Sequence, residues 1–182
     1  MKNLIKWVTA AALVGTVALV APSGAQAADS AYCGITWGSL PKAGGALSSA
    51  PLTNVRGGRH DCYDRLVMDI RGAQNGFEVR YVAQVHDQGG TVIPLRGGAF
   101  LEIVLLDPAY DEEGQSTYNP VNRRELVDVN GWRTFRQVAF GGSFEGYTTI
   151  GLGARARLPF RVFTLPGPGS SSRVVLDVAH RW

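Results

Sequence analysis

The chain has 182 residues, 45% hydrophobic and 18% charged, with a formal net charge of +3. That length suits one domain with its own core, which needs neither a metal nor heavy cross-linking to hold it. Most of the positive charge is arginine scattered along the sequence, which argues against the basic stripe of a nucleic-acid-binding protein.

The amino terminus reads as an export signal. Lys2 and Lys6 precede an uncharged apolar run from Trp7 to Val20, and Ala25-Gln26-Ala27 supplies the small-x-small pattern of a cleavage site. Residues 1–27 are therefore expected to be a signal peptide cut after Ala27. The apolar run is shorter than the roughly 20 residues that span a bilayer; an uncleaved anchor is the alternative. No cysteine stands at the cut, so no lipid anchor is expected. Cleavage lowers Lys plus Arg from 18 to 16, against 15 acids, and leaves +1. The expected location is secreted or cell-wall associated, with no membrane anchor after cleavage.

Two cysteines remain, Cys33 and Cys62. In an oxidising compartment an even pair points to a disulfide. A thiol pair for catalysis or metal binding is the other reading, but no CxxC spacing or histidine cluster accompanies it. Residues 28–58 are rich in Gly, Ser, Ala and Pro and are expected to form an arm with little regular structure. Tyr32 and Trp37 would anchor it, and the disulfide would tie it to a domain over 59–182.

From Arg65 onward the apolar period is two. Leu66, Met68 and Ile70 share one strand face; Phe77, Val79 and Tyr81 share the next, after a connection at Gly72–Gly76. Phe100–Leu106 reads as a strand buried on both faces. Asp107–Asn119 reads as an exposed loop, and Pro120–Arg124 as a short helical turn. Val127–Thr134 carries a hairpin signal, with Asn130-Gly131 as a type I′ turn. Gly141–Gly146 is a glycine-rich loop, Thr148–Gly153 a strand, and Leu165–Ser172 the turn of a last strand pair. One phrase occurs twice, as Arg65-Leu-Val-Met-Asp-Ile70 and Arg173-Val-Val-Leu-Asp-Val178. Each copy lies beside an aromatic alternating segment, so the copies are expected at equivalent places in two halves, sheet against sheet. With no segment of helical apolar spacing after the signal, the expected class is all-β, a two-sheet sandwich.

The segment from Pro159 to Val178 resembles the end of an AMIN domain: an aromatic strand, a proline-containing turn and an Arg-Val-Val-Asp-type strand. Arg65–Ile70 is similar to the other AMIN strand of that type. The whole mature chain resembles more closely the AMIN-like domain of actinobacterial exported proteins, through Cys33–Gly38, Arg59–Arg65, Trp132–Gln137 and Ser143–Gly146. The resemblance implies a β-sandwich of two small sheets related to modules that target cell-wall amidases and secretion proteins to the envelope, some of which bind peptidoglycan. No catalytic domain is expected beside the matching stretch within the 182 residues.

Candidate chemistry gathers at four places. Arg59-His-Asp-Cys-Tyr-Asp64 is the densest polar cluster. It reads either as a polar turn braced by the disulfide, or as a His60 base oriented by Asp61 or Asp64 with a nucleophile such as Ser143 brought near. His86-Asp87 reads as a solvated turn, and Trp182 as a terminal aromatic closing the core edge. Trp132, Arg133, Phe135 and Arg136 are surface candidates, because aromatic faces stack on sugars and arginine pairs with carboxylates. Alternation prevents all four from lining one flat strand face unless a bulge intervenes. Phe144 and Glu145, in the glycine-rich loop, complete the set. The expected ligand-binding residues are thus Arg59, His60, Tyr63, Trp132, Arg133, Phe135, Arg136, Phe144 and Glu145. Arg65 with Asp69 and Arg173 with Asp177 are expected to pair across neighbouring strands. No catalytic residue, metal or cofactor is expected. The leading function is a non-catalytic envelope-binding domain that contacts peptidoglycan. The alternatives are an interaction module that docks on an envelope enzyme or self-associates, and an unrecognised hydrolase.

Overall fold

A computed structural model describes residues 30–73 and 75–182. The expected signal peptide lies outside the described residues. Among those described there are strands and no helix, and none of them forms a helix long and apolar enough to cross a membrane.

The strands are β1 (Ser30–Tyr32), β2 (Ile35–Trp37), β3 (Lys42–Gly45), β4 (Leu52–Arg59), β5 (Tyr63–Ile70), β6 (Gly76–Val82), β7 (Val85–His86), β8 (Val92–Ile93), β9 (Ala99–Leu105), β10 (Phe135–Phe144), β11 (Tyr147–Ala154), β12 (Phe160–Pro166) and β13 (Ser172–Ala179). They make a five-stranded sheet, ordered β10-β11-β9-β6-β3, and a four-stranded sheet, ordered β12-β13-β5-β4, with two small hairpins, β1-β2 and β7-β8. All pairings are antiparallel. Alternation sends Leu66, Met68, Ile70, Val174, Leu176 and Val178 inward from one sheet. They meet Val79, Leu101, Ile103, Leu105, Ile150 and Leu152 from the other, and all twelve belong to one buried cluster. Large side chains on both inner faces are what make a two-layer sandwich the stable solution. On β9 the second face is half-buried rather than buried.

The twin strands are not in separate halves. β5 and β13 lie shoulder to shoulder in the four-stranded sheet, antiparallel, with Arg65 opposite Asp177 and Asp69 opposite Arg173. A phrase with Arg at one end and Asp at the other becomes self-complementary when its copies run in opposite directions. The aromatic neighbours then part company. A tight turn, closed by Gly167 N–H donating to the Ser171 carbonyl at 2.8 Å, keeps β12 beside β13. The connection after Ile70 instead crosses over and delivers β6 to the opposite sheet.

The amino-terminal arm is more regular than its composition predicts. It supplies β3 and β4, one edge strand of each sheet. Trp37, 1% exposed, is its anchor. Cys33 and Cys62 are bonded, with Cα atoms 6.4 Å apart, which ties the β1-β2 hairpin to the β4-β5 turn. Ser48 donates to the buried Asp107 carboxylate at 2.6 Å, and Gly76 N–H donates to it at 3.2 Å. Burial pushes the Asp107 carboxyl up to about 6, against those two hydrogen bonds.

Three local expectations differ from the structure. The stretch Gly141–Gly146, read as a loop, is strand up to Phe144, because β10 runs on with a bulge and pairs with β11, and only Glu145 and Gly146 form the turn. Pro120–Arg124 forms no helix; Asn122 Oδ1 accepts the Arg124 N–H instead, at 2.9 Å. Val127–Thr134 is a turn outside any strand pair: Gly131 has φ +71 and Asn130 does not take positive φ. The type I′ geometry falls at Glu145-Gly146, with φ of 49° and 86°, between β10 and β11. The segment before β10 shields that strand's edge, through Leu126 N–H to the Val138 carbonyl and Phe140 N–H to the Arg123 carbonyl.

Candidate functional site

The turn between β4 and β5 is held from three sides. His60 N–H donates to the Tyr63 carbonyl at 3.0 Å, and Cys62 is fixed by the disulfide. His180, from the end of β13, donates through Nε2 to the His60 carbonyl at 2.9 Å. The His60 ring lies on the Tyr63 ring, centroids 4.5 Å apart and planes 24° apart.

Tyr63 begins the outer face of the four-stranded sheet. Strand parity places Tyr63, Arg65, Val67 and Asp69 of β5 on that face, with Asp177 of β13 and Arg161 and Phe163 of β12 alongside. Asp177 is fully buried although it points away from the core. Two guanidinium groups cover it. Arg65 bonds it in bidentate fashion, at 2.6 and 2.9 Å, and Arg161 bonds the Oδ2 atom at 2.8 Å. Aromatic rings flank both cations: Arg65 stands 5.2 Å from Tyr63 and 5.5 Å from Phe163, while Arg161 stands 5.4 Å from Trp37 and 5.0 Å from Phe163. The hydrogen bonds that Arg65 donates to Asp177 raise the pKa of its guanidinium, so its charge is permanent. Two cations share one anion, and the cluster keeps one positive charge among ring faces. That surface can stack against a sugar ring and pair with a carboxylate or phosphate.

The Trp132–Arg136 stretch is brought to the same end by a second buried carboxylate. Asp64 accepts the N–H groups of Thr134 and Phe135, at 2.7 and 2.9 Å. This bond across 70 residues sets Arg133 over the turn, where it donates to the Asp61 carbonyl at 3.2 Å. Arg59, His60, Asp61, Arg133 and His180 line a concavity of about 350 Å³. A neighbouring one of about 810 Å³ is lined by Trp132, Arg136 and the Arg96–Glu125 ion pair, with Gly131 on the rim of both.

The expected residues therefore divide. Arg59, His60, Tyr63 and Arg133 come together, with Trp132 beside them. Arg136 bends back to donate to the Trp132 and Phe135 carbonyls, at 3.0 and 2.8 Å, and holds the loop's shape. Phe135 is not on the surface: it is fully buried, stacked beneath Trp132 with centroids 5.8 Å apart. Phe144 and Glu145 are exposed but lie at the opposite end of β10, about 30 Å away at the rise of an extended strand. A single site cannot contain them and the Arg59 turn. Sequence reasoning missed Arg65, Arg161 and Phe163 as surface groups. The available signal was parity, since Tyr63 and Arg65, like Arg161 and Phe163, stand two residues apart.

Ser143 also lies away from His60: its hydroxyl accepts the Ala109 N–H and donates to the Tyr147 carbonyl near the β10-β11 turn. The concavity beside His60 has no serine, threonine, lysine or free thiol among its described lining residues. Asp87 caps its own turn by accepting the Gly89 and Thr91 N–H groups. Trp182 is half exposed and donates to the Arg157 carbonyl rather than closing the core. Among the described residues, no group of three or more His, Cys, Asp or Glu is placed to hold a metal ion.

Comparison with known proteins adds one match. The AMIN-like domain family matches residues 50–180, well over half of the chain. No curated protein and no solved structure matches. The family and the intramolecular disulfide are together consistent with an extracytoplasmic protein. The chain therefore belongs to the AMIN-like domain family, and this membership suggests a non-catalytic binding module associated with the cell envelope.

Proposed function

We propose that this protein is an exported, non-catalytic domain that binds peptidoglycan through the surface running from Arg59 and Arg133, over His60 and Tyr63, to Arg65, Arg161 and Phe163. The observation that carries the reading is the pair of guanidinium groups held on one buried carboxylate between aromatic rings. Both cations are preorganised, so little side-chain entropy is lost when a ligand docks. Peptidoglycan offers the complementary groups, pyranose rings to stack and stem-peptide carboxylates to pair. Arg59 and Arg133, both exposed and flanking the small concavity, extend the positive charge beyond the sheet.

Co-sedimentation with insoluble peptidoglycan tests this directly. Retention above that of an unrelated secreted protein of similar charge, falling as salt rises, is the expected result. Retention equal to that control would remove peptidoglycan as the ligand.

A further inference from the structure

The two lateral sides of the sandwich are finished differently. On one side the segment before β10 covers that strand's edge. On the other side the edge strands β3 and β12 face each other, and only one end of the gap between them is closed. There Phe160 N–H donates to the Gly38 carbonyl at 2.8 Å, in a single antiparallel bridge. Beyond that bridge the gap opens into a slot of about 570 Å³, lined by Gly44, Gly45, Ala46, Phe77, Phe163 and Thr164 among others.

The hydrogen-bond parity of β12 follows from its ends. Ala179 N–H donates to the Pro159 carbonyl, so odd-numbered residues of β12 face β13. Phe160 N–H points the other way, to Gly38. Val162 and Thr164 share its parity and turn their N–H and C=O groups away from β13, Thr164 at the wall of the slot. Among the described residues, none of the hydrogen bonds outside the strand ladders reaches either backbone. The wall opposite is largely Gly44, Gly45, Ala46 and Ala73, with the Phe77 ring against Gly44, so few side chains stand in the way of an extended chain.

Charge selects what enters. Lys42 Nζ lies 5.0 Å from the Phe160 ring at the closed end, and Arg161 projects from β12 beside it. At the other end the Arg173 guanidinium reaches the Pro166 carbonyl, and its Nε is buried without a hydrogen-bond partner among the described residues. No lining residue of the slot is acidic, and the nearest carboxylate of β13, Asp177, is already shared by two arginines.

We infer that β12 accepts an extended, acidic peptide segment of a partner protein as an added antiparallel strand. Gly38 already makes the first bond of that ladder. The segment's backbone bonds Val162 and Thr164, and its outward side chains, every second residue, carry carboxylates toward Arg161 and Arg173. From Val162 to Pro166 the edge spans about 13 Å, room for four or five residues of partner strand.

The test uses a capped octapeptide of alternating Glu and Val as probe, titrated into the whole domain and followed by amide NMR and hydrogen exchange. The inference expects saturable shifts and slowed exchange at the Val162 and Thr164 amides. It also expects at least tenfold weaker binding by the same peptide N-methylated at alternate residues, and by a Lys/Val octapeptide. Thr164→Pro removes an N–H that faces away from β13, so the ladder to β13 survives; it should weaken the Glu/Val probe at least tenfold. The N-methyl comparison stands even if that variant fails to fold. Equal binding of the Lys/Val peptide, shifts confined to other edges, or no response at millimolar probe would overturn the inference. So would concentration-dependent dimerisation through β12 without peptide, because the occupant would then be a second copy of this chain.

Discussion

β5 and β13 carry the same phrase in the same sheet, yet their two aspartates have different fates. Asp177 is fully buried beneath Arg65 and Arg161, whereas Asp69 is partly exposed and takes the exposed Arg56, at 2.9 and 3.0 Å, from the edge strand β4. Arg173 stands opposite Asp69 in register but reaches instead for the Pro166 carbonyl. Backbone pairing is thus symmetric and the ion chemistry is not. The difference comes from the outer neighbours. β12 offers Arg161 and Phe163 and has Trp37 packed near it, so an arginine there is half-buried and ordered. Beside Asp69, β4 offers only Asn54 and the exposed Arg56, with no aromatic ring in the strand to cover them, and the carboxylate stays partly open.

This asymmetry sets the order of expected effects. Asp177→Asn leaves two half-buried guanidinium groups without their fully buried anion and should cost about 3 kcal/mol or more, read from urea unfolding. Breaking the disulfide with Cys33→Ser and Cys62→Ser together should cost about 3–4 kcal/mol, because the unfolded chain regains the freedom of a loop of 29 residues. Asp69→Asn, the matching change in the other copy, should cost under about 1 kcal/mol. Equal losses for Asp69→Asn and Asp177→Asn would show that burial does not distinguish the copies.

Asp107 sharpens the comparison from the other sheet, since it is a buried carboxylate with no ion pair among the described residues. Its folded pKa, about 6, lies above the ordinary 3.8, so the folded state holds its proton more tightly. Its contribution to stability is complete below pH 4 and is lost as pH rises through about 6. Asp107→Asn keeps an acceptor for Gly76 N–H and removes this loss, so the variant should gain on the parent as pH rises from 4 to 7. Parallel stability profiles over that range would contradict the burial argument.

The sandwich was legible because period-two alternation acts through burial, and Leu66, Met68, Ile70, Leu101 and Ile103 all point where parity places them. The disulfide was legible because only one pairing exists. The arm was misread because glycine and serine disfavour strands in isolation, and β3 and β4 are held by ladders to β6 and β5 that no local propensity reveals. The duplicated phrase announced a pairing of its copies but not the sheet that contains it, since crossing between sheets is decided by the connections at Arg71–Asn75 and Gly167–Ser171. The site was half legible. Arg59, His60 and Tyr63 lie within one short stretch, but their union with Arg133 depends on Asp64 reaching across 70 residues. Phe135 was misplaced because its neighbours Trp132 and Arg133 are surface groups, while the two N–H bonds to Asp64 pull its own backbone inward.

The central claim is that the basic, aromatic end of the domain, and not the Phe144–Glu145 end, holds the envelope polymer. It is tested most directly by co-sedimentation of Arg59→Ala/Arg133→Ala beside Phe144→Ala on insoluble peptidoglycan. Both arginines are exposed and Arg59 makes no ion pair among the described residues, so the fold should tolerate their loss. The account expects the double variant to need at least tenfold more peptidoglycan for half retention, with Phe144→Ala unchanged. Unchanged retention of the double variant, or loss on Phe144→Ala instead, would contradict it.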